Sequence, residues 1–167
     1  MDTVRKLVVF NLDERQFAVH LSNVERIIPS MEMKSLPLAP EYIIGTINLH
    51  GEFLPVINVR KIFQLPQRDV QVNDHLIVTA NTNIRVALCV DGVQEVVERS
   101  EEEIRKADSV LLESEHVDDL FKIGDGVVLI HDLNRFLTPE QVALIIEALN
   151  KAKVKGQKVK RKGPKEV

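Results

Sequence analysis

The sequence predicts a mainly β chain, two tandem five-stranded β-barrels followed by one C-terminal helix. Three observations predict it. The chain repeats itself at an offset of 69 residues. Its short Val- and Ile-rich runs alternate with turn residues, as strands do. One late stretch alone carries a clear helical start signal and an apolar stripe.

The repeat sets the element order. Residues 7–29, LVVFNLDERQFAVHLSNVERIIP, lie over residues 76–98, LIVTANTNIRVALCVDGVQEVVE, without a gap. Leu7 meets Leu76, Val9 meets Val78, Ala18 meets Ala87 and Val24 meets Val93. Each half reads as strand, polar turn, strand, second turn, strand; the turns are DERQ and SN in one half, NTN and DG in the other. Residues 53–63 then lie over 127–137 at an offset of 74, so the second half carries about five extra residues in its connecting loop. A unit of this length is too long for a solenoid repeat and suits two related subdomains. Five short strands per half are expected to close into a small barrel, which removes exposed edges. The two barrels are expected to share an interface, because about 70 residues give a thin core alone.

Residues 36–65, LPLAPEYIIGTINLHGEFLPVINVRKIFQL, form the most distinctive stretch. Ile43, Ile44, Ile47 and Leu49 face Phe53, Leu54, Val56 and Ile57 across Gly51, which reads as a tight hairpin. Pro37 and Pro40 hold the approach extended, and Pro55 suits an edge strand or a bulge. The segment reads as one that presents a surface. Residues 100–108, SEEEIRKAD, carry Ser100 and Glu103 at capping-box spacing and predict one or two helical turns. Residues 138–153 predict the clear helix, with Thr138 as N-cap, Pro139 at its first position and Gln141 as the box partner. Val142, Ile145, Ile146 and Leu149 line one face of it, to be docked on the body. Residues 4–150 thus read as a single domain of two barrel subdomains, and 151–167 as a basic disordered tail.

Of 22 Lys and Arg and 25 Asp and Glu, residues 151–167 hold eight and one, leaving 14 and 24 in residues 1–150, a net of −10. An acidic body argues against a nucleic-acid face on the globular part. The tail could engage RNA, anionic lipid or an acidic partner, or simply be solvated. No run reaches the ~18 apolar residues of a membrane span, and the single cysteine makes no internal disulfide, so the expectation is a cytoplasmic protein without membrane insertion. Cys89, inside VALCV, reads as a small buried hydrophobe. His20, His50, His75, His116 and His131 are scattered without metal-ligand spacing. No phosphate loop or nucleophile motif is present, and Asp91-Gly92 and Asp125-Gly126 read as hairpin turns. The expectation is no enzyme and no cofactor.

Three ordered motifs, PLAPEYIIGTINLHGEFLPVINVRKIF, RVALCVDGVQEVVE and IGDGVVLIHDLNRFLTPE, resemble the CheW family of chemotaxis coupling proteins over about residues 7–150. The resemblance implies a pair of SH3-like five-stranded barrels without catalytic activity. It implies an adaptor that bridges the cytoplasmic tip of chemoreceptors to the regulatory domain of a CheA-like histidine kinase. It places receptor contact at Val24, Arg26, Gly45, His50 and Phe53, with Asn48, Gly51 and Asn58 completing the hairpin. On that basis a charge at Gly45 or Phe53 is expected to weaken receptor capture and spare the fold. Two positions depart from the family pattern. Its Asn-Leu-Arg-Gly reads Asn48-Leu49-His50-Gly51 here, and Arg26 stands where an acidic residue is usual, with Glu25 shifted by one. The usual Arg–Glu pair cannot form, so either the charge pairing is rebuilt through Glu25 or Glu52, or a different receptor or pathway is served. The alternatives are a scaffold of a non-motility pathway and a module acting through its basic tail on an anionic partner.

Overall fold

Strand pairing divides the chain differently from its repeat. In the computed structural model, which describes residues 3–106 and 117–162, β3 (Val24–Pro29), β4 (Ile43–Leu49), β5 (Glu52–Asn58), β6 (His75–Thr79) and β7 (Ala87–Val90) form one sheet in the order β3-β6-β7-β5-β4. A second sheet joins β1 (Val4–Leu12) and β2 (Arg15–His20) to β8 (Gly92–Ser100), β9 (Arg105–Lys106), β10 (Val117–Ile123) and β11 (Gly126–His131), in the order β8-β1-β2-β11-β10-β9. The class is as expected, two barrels and a C-terminal helix. The expectation that each half closes its own barrel is corrected by the pairing. The barrel of β3 to β7 is one continuous segment, inserted between β2 and β8 of the other. Each barrel is a whole repeat in permuted order, closed by a parallel pairing between the two halves, β5 with β7 or β2 with β11.

Both barrels seal their open edges. Beyond β3, Lys34 exchanges backbone hydrogen bonds with Thr46 of β4, at 2.9 and 2.7 Å, which ties the ends of the first sheet together. In the other, β8 runs through a turn at 101–103 into β9, which pairs with β10. That turn replaces the expected helix: Glu103 Oε1 accepts the Ser100 N–H at 3.0 Å and its hydroxyl at 3.1 Å, but Arg105 and Lys106 go to the sheet. Residues 107 and 108 of the expected helix, His116 and residues 163–167 of the tail lie outside the described residues.

Three apolar layers explain the sequence pattern. Leu7, Val9, Ala18, Phe121, Val128 and Ile130 fill one barrel; Ile47, Leu54, Val56, Leu76, Val78 and Ala87 fill the other. Between them a shared layer takes Val8, Phe10, Phe17 and Val19 from one side and Ile57, Ile77, Leu88 and Val90 from the other. Strands buried on both faces read as continuous runs rather than alternation, which is why LVVF and LIV carry no polar residue. The N-terminal turns of α2 (Pro139–Lys162) complete this layer through Ile145, while Ala148 is buried beside it.

α2 begins where the sequence predicts. Gln141 N donates to Thr138 Oγ1 at 3.1 Å and Thr138 N donates to Gln141 Oε1 at 2.8 Å, a complete capping box. Thr138→Ala is expected to cost about 1 kcal/mol, read as a shift of the denaturation midpoint with unchanged m-value. The helix then continues to Lys162, against the expectation of an unstructured tail from residue 151. Residues 151–162 are mostly Lys, Ala, Val and Gln with one glycine, and the first breaker is Pro164. Pro55 also differs from expectation, since β5 is an interior strand. It lies one residue before the parallel pairing with β7 starts at Val56, so no ladder bond needs its missing N–H.

Candidate interaction surface

The hairpin of β4 and β5 turns through two residues, with Asn48 opposite Phe53 and Leu49 opposite Glu52. His50 and Gly51 both adopt positive φ, +53° and +87°, the signature of a turn whose twist matches the flanking strands. Asn48 Oδ1 accepts the Gly51 N–H at 2.9 Å and fixes the loop. At the start of β5 the Phe53 ring is left about half exposed. Arg26 of β3 reaches His50, with Nη1 to Nε2 at 3.2 Å. Arginine only donates, so in this contact the imidazole Nε2 is the acceptor.

Beside this pair, Arg85 donates to Glu25 on β3 and to Glu52 on β5. The charge pairing missing from Arg26 and His50 is thus rebuilt through both available carboxylates, by an arginine the sequence reading did not single out. The Arg85 hydrogen bond holds the Glu25 carboxyl below the usual range. Arg85, Glu52, Phe53 and Ile84 also border a groove against Ile146 and Leu149 of α2.

The other sequence-predicted residues divide. Val24, partly buried, packs on the shared apolar layer. Gly45 is buried inside β4, and a Cβ there would stand 2.6 Å from the Lys34 carbonyl oxygen. The expectation that a charge at Gly45 spares the fold is therefore corrected: the position belongs to the barrel seam. Asn58 lies elsewhere, capping α1 (Val59–Ile62) through an Oδ1 that accepts the Lys61 N–H at 3.3 Å, and donating to Gln67 at 2.9 Å.

Asn58 borders a polar cleft whose charges are structural. Arg60 is almost fully buried; its guanidinium donates to both Asp13 oxygens at 2.7 and 2.9 Å, to Asp91 at 2.6 Å and to the Pro66 carbonyl at 2.9 Å. Arg68 links Asp91 at 2.6 Å to Asp74 at 2.7 Å. Asp13 lies in the β1–β2 turn of one barrel, and Arg60 follows β5 of the other. Asp91-Gly92 is accordingly no hairpin: it carries the chain from β7 across to β8, and Asp91 also takes the Asp13 N–H at 2.5 Å. Burial pushes the Asp91 carboxyl up, but hydrogen bonds from Arg60, the Asp13 amide and Arg68 outweigh it and leave the group below its usual range. Asp125-Gly126, by contrast, lies in a true hairpin between β10 and β11. Cys89 lines this cleft, and burial, reinforced by the Asp74 carboxylate, pushes its thiol up to about 12, which keeps it protonated and inert. No described helix is long and apolar enough to cross a membrane.

The arrangement offers an apolar ring, a rigid turn and charged rims, and the comparisons agree with such a scaffold. A chemotaxis protein CheW of Klebsiella aerogenes is 26% identical over 145 residues, covering 84% of this chain and 86% of that one. A chemotaxis protein CheW of Bacillus subtilis is 31% identical over 105 residues, 63% of this chain and 67% of its own length. Among solved structures, the scaffolding protein TtCheW of Thermoanaerobacter tengcongensis superposes with a TM-score of 0.74 at 26% identity, over 83% of this chain and 96% of that one. The pair of small SH3-like barrels is common to both. The CheW-like domain model matches residues 6–141, most of both barrels and the start of α2, and the chain belongs to the CheW-like domain family.

Proposed function

We propose that this chain is a non-enzymatic, cytoplasmic adaptor that joins the cytoplasmic tips of chemoreceptors to the regulatory domain of a CheA-like histidine kinase. Family membership supports the class, as do the names of its relatives, chemotaxis proteins and a scaffolding protein. The observation that carries the receptor side is Phe53: an aromatic ring 52% exposed, on a turn held by Asn48 and Gly51, next to Arg26 and His50. Aromatic anchors on pre-organised backbone dominate interface energies, because little ordering remains to be done on binding. Residues 4–150 act as the single adaptor domain in this reading, and the basic residues after 150 are not needed for it.

Phe53→Asp tests it. Capture of a purified receptor-tip fragment is expected to fall about tenfold or more, with the melting temperature nearly unchanged. Truncation after Asn150 is expected to leave capture of both the receptor tip and the kinase regulatory domain intact. Undiminished receptor capture by Phe53→Asp would remove the hairpin from the docking surface.

A further inference from the structure

We infer that this docking surface reads a carboxylate on its partner, and that Arg26 is the specificity-determining residue that reads it; the inference rests on the hairpin being the receptor-docking site. Four charged side chains crowd the rim: Glu25 and Arg26 on β3, Glu52 on β5 and Arg85 between β6 and β7. Arg85 takes both carboxylates. Among the described residues Arg26 then has no carboxylate within 4.0 Å, and its hydrogen-bond partner is the His50 ring. The three paired groups sum to −1 and are bound to one another. The guanidinium is left charged and exposed, with donors to spare.

His50 acts as a positioning residue. Its backbone is set by the turn, and its Nε2 holds one Arg26 nitrogen without cancelling the charge. A partner that covered this rim with apolar surface alone would desolvate an unpaired guanidinium, which costs several kcal/mol in the limit of full burial. A carboxylate placed beside the apolar patch that meets Phe53 removes that cost and gives a charge-assisted contact. The partner chemistry is thus an acidic residue flanked by apolar ones. The body around the site is acidic, −10 over residues 1–150, so long-range attraction does not select such a partner and the discrimination must be local.

Titration calorimetry with the cognate receptor-tip fragment at 50 and 300 mM salt tests this. Arg26→Gln is expected to lose about fivefold at low salt and to flatten the salt dependence. Arg26→Glu should lose more, and a Glu→Lys change at one acidic position of the fragment should restore binding to it. His50→Leu, which removes the acceptor, should lose part of the salt-dependent affinity, and His50→Gln, which keeps one, should retain more of it than His50→Leu does. If Arg26→Glu binds like the parent while Phe53→Asp still weakens capture, the carboxylate inference is overturned and the docking site stands. If neither variant changes binding, the docking site is wrong and the inference falls with it.

Discussion

Arg60→Ala is expected to destabilise the protein by about 3 kcal/mol, lowering its melting temperature by about 6–12 °C. The side chain is 6% exposed and holds Asp13 from the β1–β2 turn and Asp91 from the crossing between β7 and β8, so its loss leaves Asp91 in the cleft with one cation fewer. Arg68 still serves Asp91, which keeps the cost at the low end for a broken buried pair. The effect should be pH-dependent, with a definite sign. Asp13, held low chiefly by its Arg60 hydrogen bond, and Asp91 have carboxyl pKa values in the folded state below the ~3.9 of an unfolded aspartate. Groups depressed on folding contribute stability above that value and lose it as pH falls through the folded one. Urea unfolding should therefore separate Arg60→Ala from the parent at pH 7, and the gap should begin to narrow as pH falls below about 4. A gap that does not narrow as pH falls into the acid range would mean that packing, rather than the ionic clasp, carries the effect.

Gly45→Val should be the next most damaging change. Its Cβ would meet a backbone oxygen that is itself bonded in the Lys34–Thr46 bridge, so no side chain can swing aside. Overpacking of this kind costs about 1–3 kcal/mol. The loss should be local before it is global: amide exchange at Lys34 and Thr46 is expected to accelerate first, because those two bonds seal the barrel. Gly51→Ala is the control. It meets nothing within 4 Å but must hold φ +87°, so its cost is conformational and the seam amides should stay protected. Equal exchange behaviour in the two variants would contradict the seam assignment.

The strands, the hairpin around Gly51 and the start of α2 were legible because each rests on local chemistry: double-faced apolar runs, a positive-φ turn residue, a Thr-Pro-x-Gln cap. The exchange of strands between repeats was not. Periodicity tells which faces of β1 are buried, but nothing in it distinguishes β8 from β3 as the neighbour, since the two are equivalent in the repeat. The Arg60–Asp91 clasp was hidden for a related reason. Asp-Gly is a strong local turn signal, and it masked a carboxylate used across the barrel boundary. Of the residues proposed for docking, Arg26, Asn48, His50, Gly51 and Phe53 lie together at the β4–β5 turn. Gly45 turned out to be part of a seam that depends on Lys34, a partner that no motif names, and Asn58 a helix cap bonded to the Lys61 amide.

The insertion of one barrel into the other also dictates an order of assembly as the chain leaves the ribosome. Once Val90 has emerged, all five strands of the inserted barrel are available. The hairpin of β1 and β2, made first, must wait for β8 to β11 before its outer edges are covered, with Val8, Phe10 and Phe17 exposed on one face and Leu7 and Val9 on the other. That hairpin is thus enclosed only after β8 to β11 have been made, and until then its apolar faces and outer edges stay uncovered.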